Sequence, residues 1–346
     1  MGETILVTGA NGHIGANCVR DLLGNGYSVV ASVREGADLR GLHGLDVETR
    51  FADVLDADAV RAAVEGVDGV FHLAQPYDIG ESDPESIIRP SVIGTENVFG
   101  AMKDAGLKRV VYAGSCAAVG VTDDPDEPLD ETCWREEGAI PYTTAKILGE
   151  RRAMELAGEH GLDVVVTLPV GVLGGWDFKP TPTMQPAYDA INGKGPMPMA
   201  VNHTDVRDVA ASHRLAWEKG TPGERYLVGA EALLPEAAAA VVGNITGKAP
   251  AHKWPPYGLL SFLATVLGWF GIAPITKTAL DDVYGKHFVY DCSKARRELG
   301  YAPAPPRVAI EEAMRWGAFV GALKPKVAAK VAAALPPDPT WDGAVG

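Results

Sequence analysis

The most restrictive stretch of this 346-residue chain is its first thirty residues. Residues 3–8 (Glu3-Thr4-Ile5-Leu6-Val7-Thr8) form a short apolar run stopped by glycine. Residues 11–25 then carry Ile14, Val19, Leu22 and Leu23 at helical spacing until Gly24 and Gly26 end the pattern. Between the two runs lies Thr8-Gly9-Ala10-Asn11-Gly12-His13-Ile14-Gly15. A strand that passes into a helix over three glycines leaves few folds open. Gly9 permits the sharp exit from the strand, Gly12 lets the backbone approach a pyrophosphate, and Gly15 lets the helix pack on the sheet. The positive helix end then faces the phosphates. The turn is a dinucleotide-binding candidate in the context such a motif requires, with Thr8, Gly9, Asn11, Gly12, His13, Ile14 and Gly15 as its contact residues.

The same alternation continues. Strand-like runs at 27–33, 47–51, 69–73, 109–113 and 163–168 are separated by helical patterns at 56–65, 84–105 and 142–160. Strands spaced by helices of this length make βαβ units, so the expected fold is α/β, a doubly wound parallel Rossmann-type sheet. After Pro169 the pattern loosens. The expected division is a dinucleotide-binding domain of residues 1–173 plus 200–230, a smaller α+β substrate-binding part of residues 174–199 and 231–322, and a C-terminal tail of residues 323–346. Within that tail 324–335 reads as a marginal helix, followed by a loose end after Pro336-Pro337-Asp338-Pro339.

The end of the second strand selects the dinucleotide. An acidic residue there accepts from a ribose 2′-hydroxyl, whereas this chain has Ser32-Val33-Arg34 and then Arg40. Arginine suits a 2′-phosphate, so NADP(H) is preferred over NAD(H).

Tyr142-Thr143-Thr144-Ala145-Lys146 opens the 142–160 helix, and a spacing of four puts Tyr142 and Lys146 on one face. A tyrosine that moves a proton near neutral pH needs its phenol below the ordinary value of about 10, and a cation one turn away favours the phenolate. Ser115 follows the fifth strand at the carboxyl edge of the sheet, where ligands sit in open α/β folds. Ser115, Tyr142 and Lys146 are the catalytic candidates.

These residues reach a known family. The chain resembles the extended short-chain dehydrogenase/reductases of the NAD-dependent epimerase/dehydratase superfamily from about residue 3 to about residue 320. The resemblance rests on the glycine turn, Asp53-Val54, His72-Leu73-Ala74, Ser115 and Tyr142-x-x-x-Lys146. Arg34 with Arg40, the run Phe71 to Pro76, Asp83-Pro84-Glu85, the run Asp291 to Arg296 and Leu299-Gly300-Tyr301 are similar to the dihydroflavonol reductase and cinnamoyl-CoA reductase branch. The resemblance implies that Asp53 and Val54 contact adenine. It also implies that Leu73, Ala74 and Gln75 line the cofactor, that Lys146 bonds the nicotinamide ribose, and that Pro169 and Val172 pack on the nicotinamide. It implies a monomer, or a homodimer through the 84–105 and 142–160 helices. His13 replaces the usual aromatic, Leu168 stands where many members have Arg, and Ala145 replaces a common Ser. The cinnamoyl-CoA motif after the fifth strand is missing, so a CoA ester is not the expected substrate.

The implied activity is NADPH-dependent reduction of an aldehyde or ketone, reversible as an alcohol dehydrogenase. A hydroxysteroid- or terpenoid-type dehydrogenase and a nucleotide-sugar epimerase or dehydratase are the alternatives. The epimerase needs cations for a substrate diphosphate, and residues 174–204 hold only Lys179 and Lys194. Cys116, Trp176, Met184 and Arg207 are substrate-contact candidates. His72 reads as structural, and Thr204 or Asp205 as a helix cap.

Charge limits the partners. With 31 Lys+Arg against 45 Asp+Glu the net charge is −14, which disfavours nucleic acid. Half of that excess lies between Cys116 and Gly138, where eight acids face one arginine. This acidic loop is either solvated surface or an overhang that repels anionic substrates. Four cysteines without C-x-x-C spacing predict neither zinc nor disulfides, and no metal site is expected. No signal peptide is visible, and a cytoplasmic setting is expected. Residues 258–275 carry no charge. A buried or substrate-lining helix is expected there, with membrane-surface contact as the alternative.

Overall fold

The computed structural model describes residues 2–77, 83–138, 140–269 and 276–344. In chain order the first elements are β1 (Thr4–Thr8), α1 (His13–Gly24), β2 (Ser28–Val33), β3 (Glu48–Phe51), α2 (Ala57–Ala63), β4 (Gly69–His72), α3 (Pro84–Asp104), β5 (Arg109–Ala113), α4 (Pro141–His160) and β6 (Asp163–Pro169). Then come β7 (Val172–Leu173), α5 (Met184–Ile191), β8 (Thr204–Asp205), α6 (Val206–Lys219), β9 (Arg225–Val228), α7 (Pro235–Thr246), α8 (Tyr257–Trp269), α9 (Lys277–Val283), α10 (Ser293–Leu299), α11 (Pro306–Phe319) and α12 (Pro325–Ala334).

The seven-stranded sheet is parallel throughout, in the order β3-β2-β1-β4-β5-β6-β9. The strand order reverses between β1 and β4, and that switch point opens the crevice where Rossmann folds bind ligands. β9 comes from beyond the first six strands and adds the far edge, pairing Val166 with Arg225.

Alternate strand residues face opposite layers. Leu6, Val70, Val110, Val164 and Val166 meet Val98, Phe99 and Met102 of α3 and Ala153 and Leu156 of α4. Ile5, Val7, Phe71, Val111 and Val165 meet Val19 and Leu22 of α1 and Ala210 and Trp217 of α6. Ile5, Leu6 and Val7 are all wholly buried. A strand covered on both faces has to read as a continuous apolar run, and each such side chain contributes about 1.5–3 kcal/mol.

A third core joins β7, α5, α7, α11 and α12 around Trp316. It corrects the expectation of a loose C-terminal end. Trp341 is 3% exposed and packs edge-on against Trp316, with ring centroids 4.9 Å apart. One large aromatic with a slot to fill anchors a stretch that is otherwise rich in proline and alanine.

The uncharged 258–275 segment is also corrected in part. Its first residues form α8, but Leu259, Phe262 and Leu263 are exposed, Phe262 by 63%. Residues 270–275 lie outside the described ones. Among the described residues no helix is long and apolar enough to cross a membrane. In the acidic loop every carboxylate side chain from Asp123 to Glu137 belongs to an exposed residue except that of half-buried Glu131.

Candidate active site

The glycine turn is tied to the end of β4 by one side chain. Thr8 Oγ1 accepts from the backbone N–H groups of Leu73 and Ala74, each at 3.1 Å, and is hydrogen-bonded to His72 Nδ1 at 2.9 Å. His72 is wholly buried, and burial pushes its pKa down to about 3. It is a neutral structural group, as expected. Gly9 has φ +67, and a Cβ there would come within 3.0 Å of Ala74 Cα. A Cβ on Gly15 would lie 2.2 Å from the carbonyl oxygen of Gly9. Both positions therefore exclude any side chain. Gly12 caps α1 without a side-chain bond, so the first-turn N–H groups of α1 receive no capping side chain. This side-chain-free cradle at a helix N-terminus fits a dinucleotide pyrophosphate.

His13 turns away from that cradle into the protein, where burial lowers its pKa against the pull of Asp177 and Asp205. Asn17 Nδ2 donates to the carbonyls of His13 and Gly175, closing the loop after β7 onto α1. Asn11 Nδ2 donates to the Asp38 carbonyl at 3.3 Å.

Arg34 and Arg40 are both exposed beyond the end of β2. Arg40 grips Asp38 with Nε and Nη2, the latter at 2.6 Å, and lies over the Phe178 ring at 4.6 Å. Asp53 accepts from the N–H of Leu55, and Val54 is held through its carbonyl by Asn97 Nδ2. Pro169 ends β6 in register with Val228, and Val172 pairs with Thr204.

The structure brings the three catalytic candidates together. Ser115 has extended backbone after β5, and its Oγ accepts from the N–H of Ala117. Tyr142 stands in the first turn of α4, just after Pro141 sets φ for the start of the helix. The two hydroxyl oxygens are 3.2 Å apart. Lys146, 8% exposed, has its Nζ 5.8 Å from the Tyr142 ring centre and donates to Gln75 Oε1 at 2.6 Å. Burial pushes the Lys146 ammonium down to about 8, against the opposing fields of Glu150 and Cys116.

The Tyr142 phenol differs from the expectation. Loss of hydration, with Tyr77 next to it, holds it well above its ordinary value, and the Ser115 hydrogen bond only partly offsets this. Burial is the leading cause, and the Lys146 hydrogen bond goes to Gln75 rather than to the phenol.

The substrate-contact candidates part company. Cys116 lies beside Ser115, with its thiol pushed up to about 11 by burial. Trp176 is buried with φ +67, and the Arg20 guanidinium sits 3.4 Å over its ring. Met184 is wholly buried in the third core. Arg207 is held by Asp205, Glu312 and Asp338, and Asp205 caps α6 through the Arg207 N–H. Trp176 and Met184 are packed in the third core, and Arg207 is ion-paired. Sequence reasoning missed Tyr77, whose ring lies 5.0 Å from that of Tyr142 and whose hydroxyl reaches Thr183 Oγ1 at 2.5 Å. Its place two residues after Gln75 was the available signal. The four cysteines are free, and among the described residues no group of His, Cys, Asp or Glu gathers as a metal site.

Known proteins resemble this chain in sequence and fold. The model of the NAD dependent epimerase/dehydratase family matches residues 5–229. A Synechocystis sp. protein provisionally assigned as a dihydroflavonol 4-reductase is 34% identical over 91% of this chain and 95% of its own. Sterol demethylase protein B of Methylococcus capsulatus is 31% identical over 90% of this chain and 98% of its own. The crystal structure of gox2253 superposes with a TM-score of 0.82 at 33% identity, covering 93% of this chain and all of that one. The chain belongs to the NAD-dependent epimerase/dehydratase family of extended short-chain dehydrogenase/reductases, enzymes that act on carbonyl and alcohol groups with NAD(P).

Proposed function

We propose that the protein reduces a ketone or aldehyde to an alcohol with NADPH, and runs in reverse as an alcohol dehydrogenase. The observation that carries this reading is the 3.2 Å approach of the Ser115 and Tyr142 hydroxyls above buried Lys146, next to the side-chain-free glycine turn. The bound dinucleotide supplies the hydride in the reducing direction. The first-turn N–H groups of His13 and Ile14 would hold the pyrophosphate, while the Gly12 N–H closes the turn onto the Gly9 carbonyl at 3.0 Å, and Lys146 would bond the nicotinamide ribose. Ser115 donates to the carbonyl oxygen and holds it in line with Tyr142, which delivers the proton as the alcohol forms. Arg34 and Arg40 support NADP over NAD. Arg40 shares its Nε and Nη2 with the Asp38 carboxylate, and exposed Arg34 carries no such partner among the described residues, so the pair still offers a guanidinium for a 2′-phosphate.

A specific observation favours a hydroxysteroid-type substrate as the second reading. The Methylococcus relative is named for sterol demethylation, and α8 exposes Leu259, Phe262 and Leu263 in the C-terminal part. Nucleotide sugars fit less well, because Lys194 is engaged with Asp189 and residues 174–204 hold no arginine. The test follows NADPH absorbance with a panel of aliphatic and aromatic carbonyls and 3-ketosteroids. Turnover with at least one member, lost in Tyr142→Phe, supports the reading. Wild-type turnover in Tyr142→Phe overturns it.

A further inference from the structure

Behind the reacting groups lies a buried ion pair that the mechanism has not used. Glu150 is one helical turn beyond Lys146 on α4 and is wholly buried. Its Oε1 accepts from Arg225 Nε at 2.5 Å, and Arg225 on β9 is itself buried. The other carboxylate oxygen, Oε2, is buried without a hydrogen-bond partner, as is Arg225 Nη2. Gly114 makes room for that oxygen, since a Cβ there would lie 3.2 Å from Oε2.

An ion pair of this kind is poorly explained as a stabilising device. Desolvating both charges costs about as much as their attraction returns, and apolar residues of the same volume often serve as well. A carboxylate that spends one oxygen on its partner and leaves the other bare projects its charge inward. The spacing of Tyr142, Lys146 and Glu150 places all three on one face of α4, so the nearest cation besides Arg225 is Lys146.

Arg225 is pinned from its other side. Its Nη1 donates to the carbonyls of Glu131 and Cys133, at 2.6 and 3.0 Å, and the Trp134 ring covers the guanidinium at 3.7 Å. Glu131 Oε1 accepts from the N–H of Leu227 at 2.9 Å. The acidic loop is thus fastened along β9, and three of its residues hold the arginine that holds Glu150.

We propose that Glu150, ion-paired with Arg225, is a positioning residue that keeps Lys146 protonated, and that the 131–134 stretch of the acidic loop supports it through Arg225. Burial raises the Glu150 carboxyl, and the Arg225 guanidinium pulls it back down. The inference rests on the catalytic reading of Lys146 given above. The titratable and charged groups around Lys146 are Tyr142 and Glu150 on α4, His72 on β4, Tyr112 on β5, Cys116 after β5 and Arg225 on β9, with neutral Gln75 as its hydrogen-bond acceptor. Glu150 is the strongest of the influences that favour the charged ammonium.

The decisive measurement is a direct titration of Lys146. Protein free of added cofactor and uniformly labelled with 13Cε-lysine is followed by NMR, with the Lys146 signal assigned by its loss in Lys146→Met. In Glu150→Gln the midpoint should fall by about one pH unit or more from its wild-type position. The alkaline limb of kcat should move down with it. The double variant Glu150→Gln/Arg225→Met replaces the whole pair by neutral groups of similar shape and guards against misfolding of the single one. It should shift the midpoint in the same direction by less, because a repelling guanidinium has gone too. An unchanged midpoint in a folded Glu150→Gln or double variant overturns the proposal and leaves the pair structural. Wild-type turnover in Tyr142→Phe would defeat the catalytic reading instead, and would leave the lysine titration untouched.

Discussion

Tyr77 lies against Tyr142 with ring centroids 5.0 Å apart, and its hydroxyl bridges to Thr183 at 2.5 Å. The bridge joins the loop after β4 to the start of α5, so the ring beside Tyr142 is fixed from the other half of the chain. An aromatic contact of this kind contributes about 0.5–1.5 kcal/mol. Tyr77→Ala should raise KM for the carbonyl substrate several-fold and change kcat less, as steady-state kinetics would show. A loss confined to kcat would place Tyr77 in the proton transfer itself.

In the proposed reaction Ser115 and Tyr142 act on one oxygen atom. Ser115→Ala should lower kcat by roughly a hundredfold while leaving the fold intact, as judged by circular dichroism. Ser115→Thr, which retains the hydroxyl, should recover part of that loss. Full activity of Ser115→Ala would remove it from the mechanism.

The exposed arginines after β2 bear on cofactor choice. Arg34→Ala combined with Arg40→Ala should raise KM for NADPH by at least about tenfold, the value of one charge-assisted contact, and should leave KM for NADH unchanged. Equal losses for both dinucleotides would mean that the pair shapes the loop rather than reading the 2′-phosphate.

Buried histidines make the fold sensitive to acid, with His13 and His203 lowered by burial as well as the two that follow. His72 and His213 are wholly buried, and burial pushes them down to about 3 and about 4. His213 is hydrogen-bonded to Thr167 Oγ1 at 3.0 Å and to the Val209 carbonyl at 2.8 Å. In the unfolded chain each takes a proton near pH 6.5. The folded-state values are depressed, so this stability is complete above pH 6.5 and is lost as the pH falls toward 4. The slope is about 1.4 kcal/mol per pH unit for each histidine. Urea unfolding at several pH values should show that fall, and His213→Gln should flatten it. An unaltered slope in that variant would exclude His213 as a contributor.

Trp341 closes the third core from the C-terminal side. Trp341→Ala should cost about 3–5 kcal/mol, read as a lower midpoint in chemical denaturation. A loss below about 1 kcal/mol would show that the slot refills.

Local features of the chain were legible where a single element carries them. The β1 turn and α1 show themselves through three glycines and a helical stripe. Tyr142 and Lys146 share one helix face, and Ser115 follows the apolar run of β5 at its carboxyl end. Features built from distant segments were not. Glu150 shows at the right spacing, but its partner Arg225 is 75 residues away and looks like any other strand-end arginine. Trp341 sits in a segment whose composition reads as loose, and its slot is made by Gly175, Trp316 and Phe319. The exposed stripe of α8 was hidden for the opposite reason. Uncharged sequence says that a segment avoids charge, not which of its faces is covered.

The place of Trp341 also sets an order of events. The Rossmann layers draw on residues up to about 301, whereas the third core unites Leu173 with Trp341 and Ala344. During synthesis the sheet and its layers can collapse once residue 301 is available, while the segment beyond it is still being made. The third core cannot close until residue 344 has left the ribosome. Until then α5 and α11 present an open apolar seam, and a chaperone that binds such seams would meet this protein late in translation rather than early.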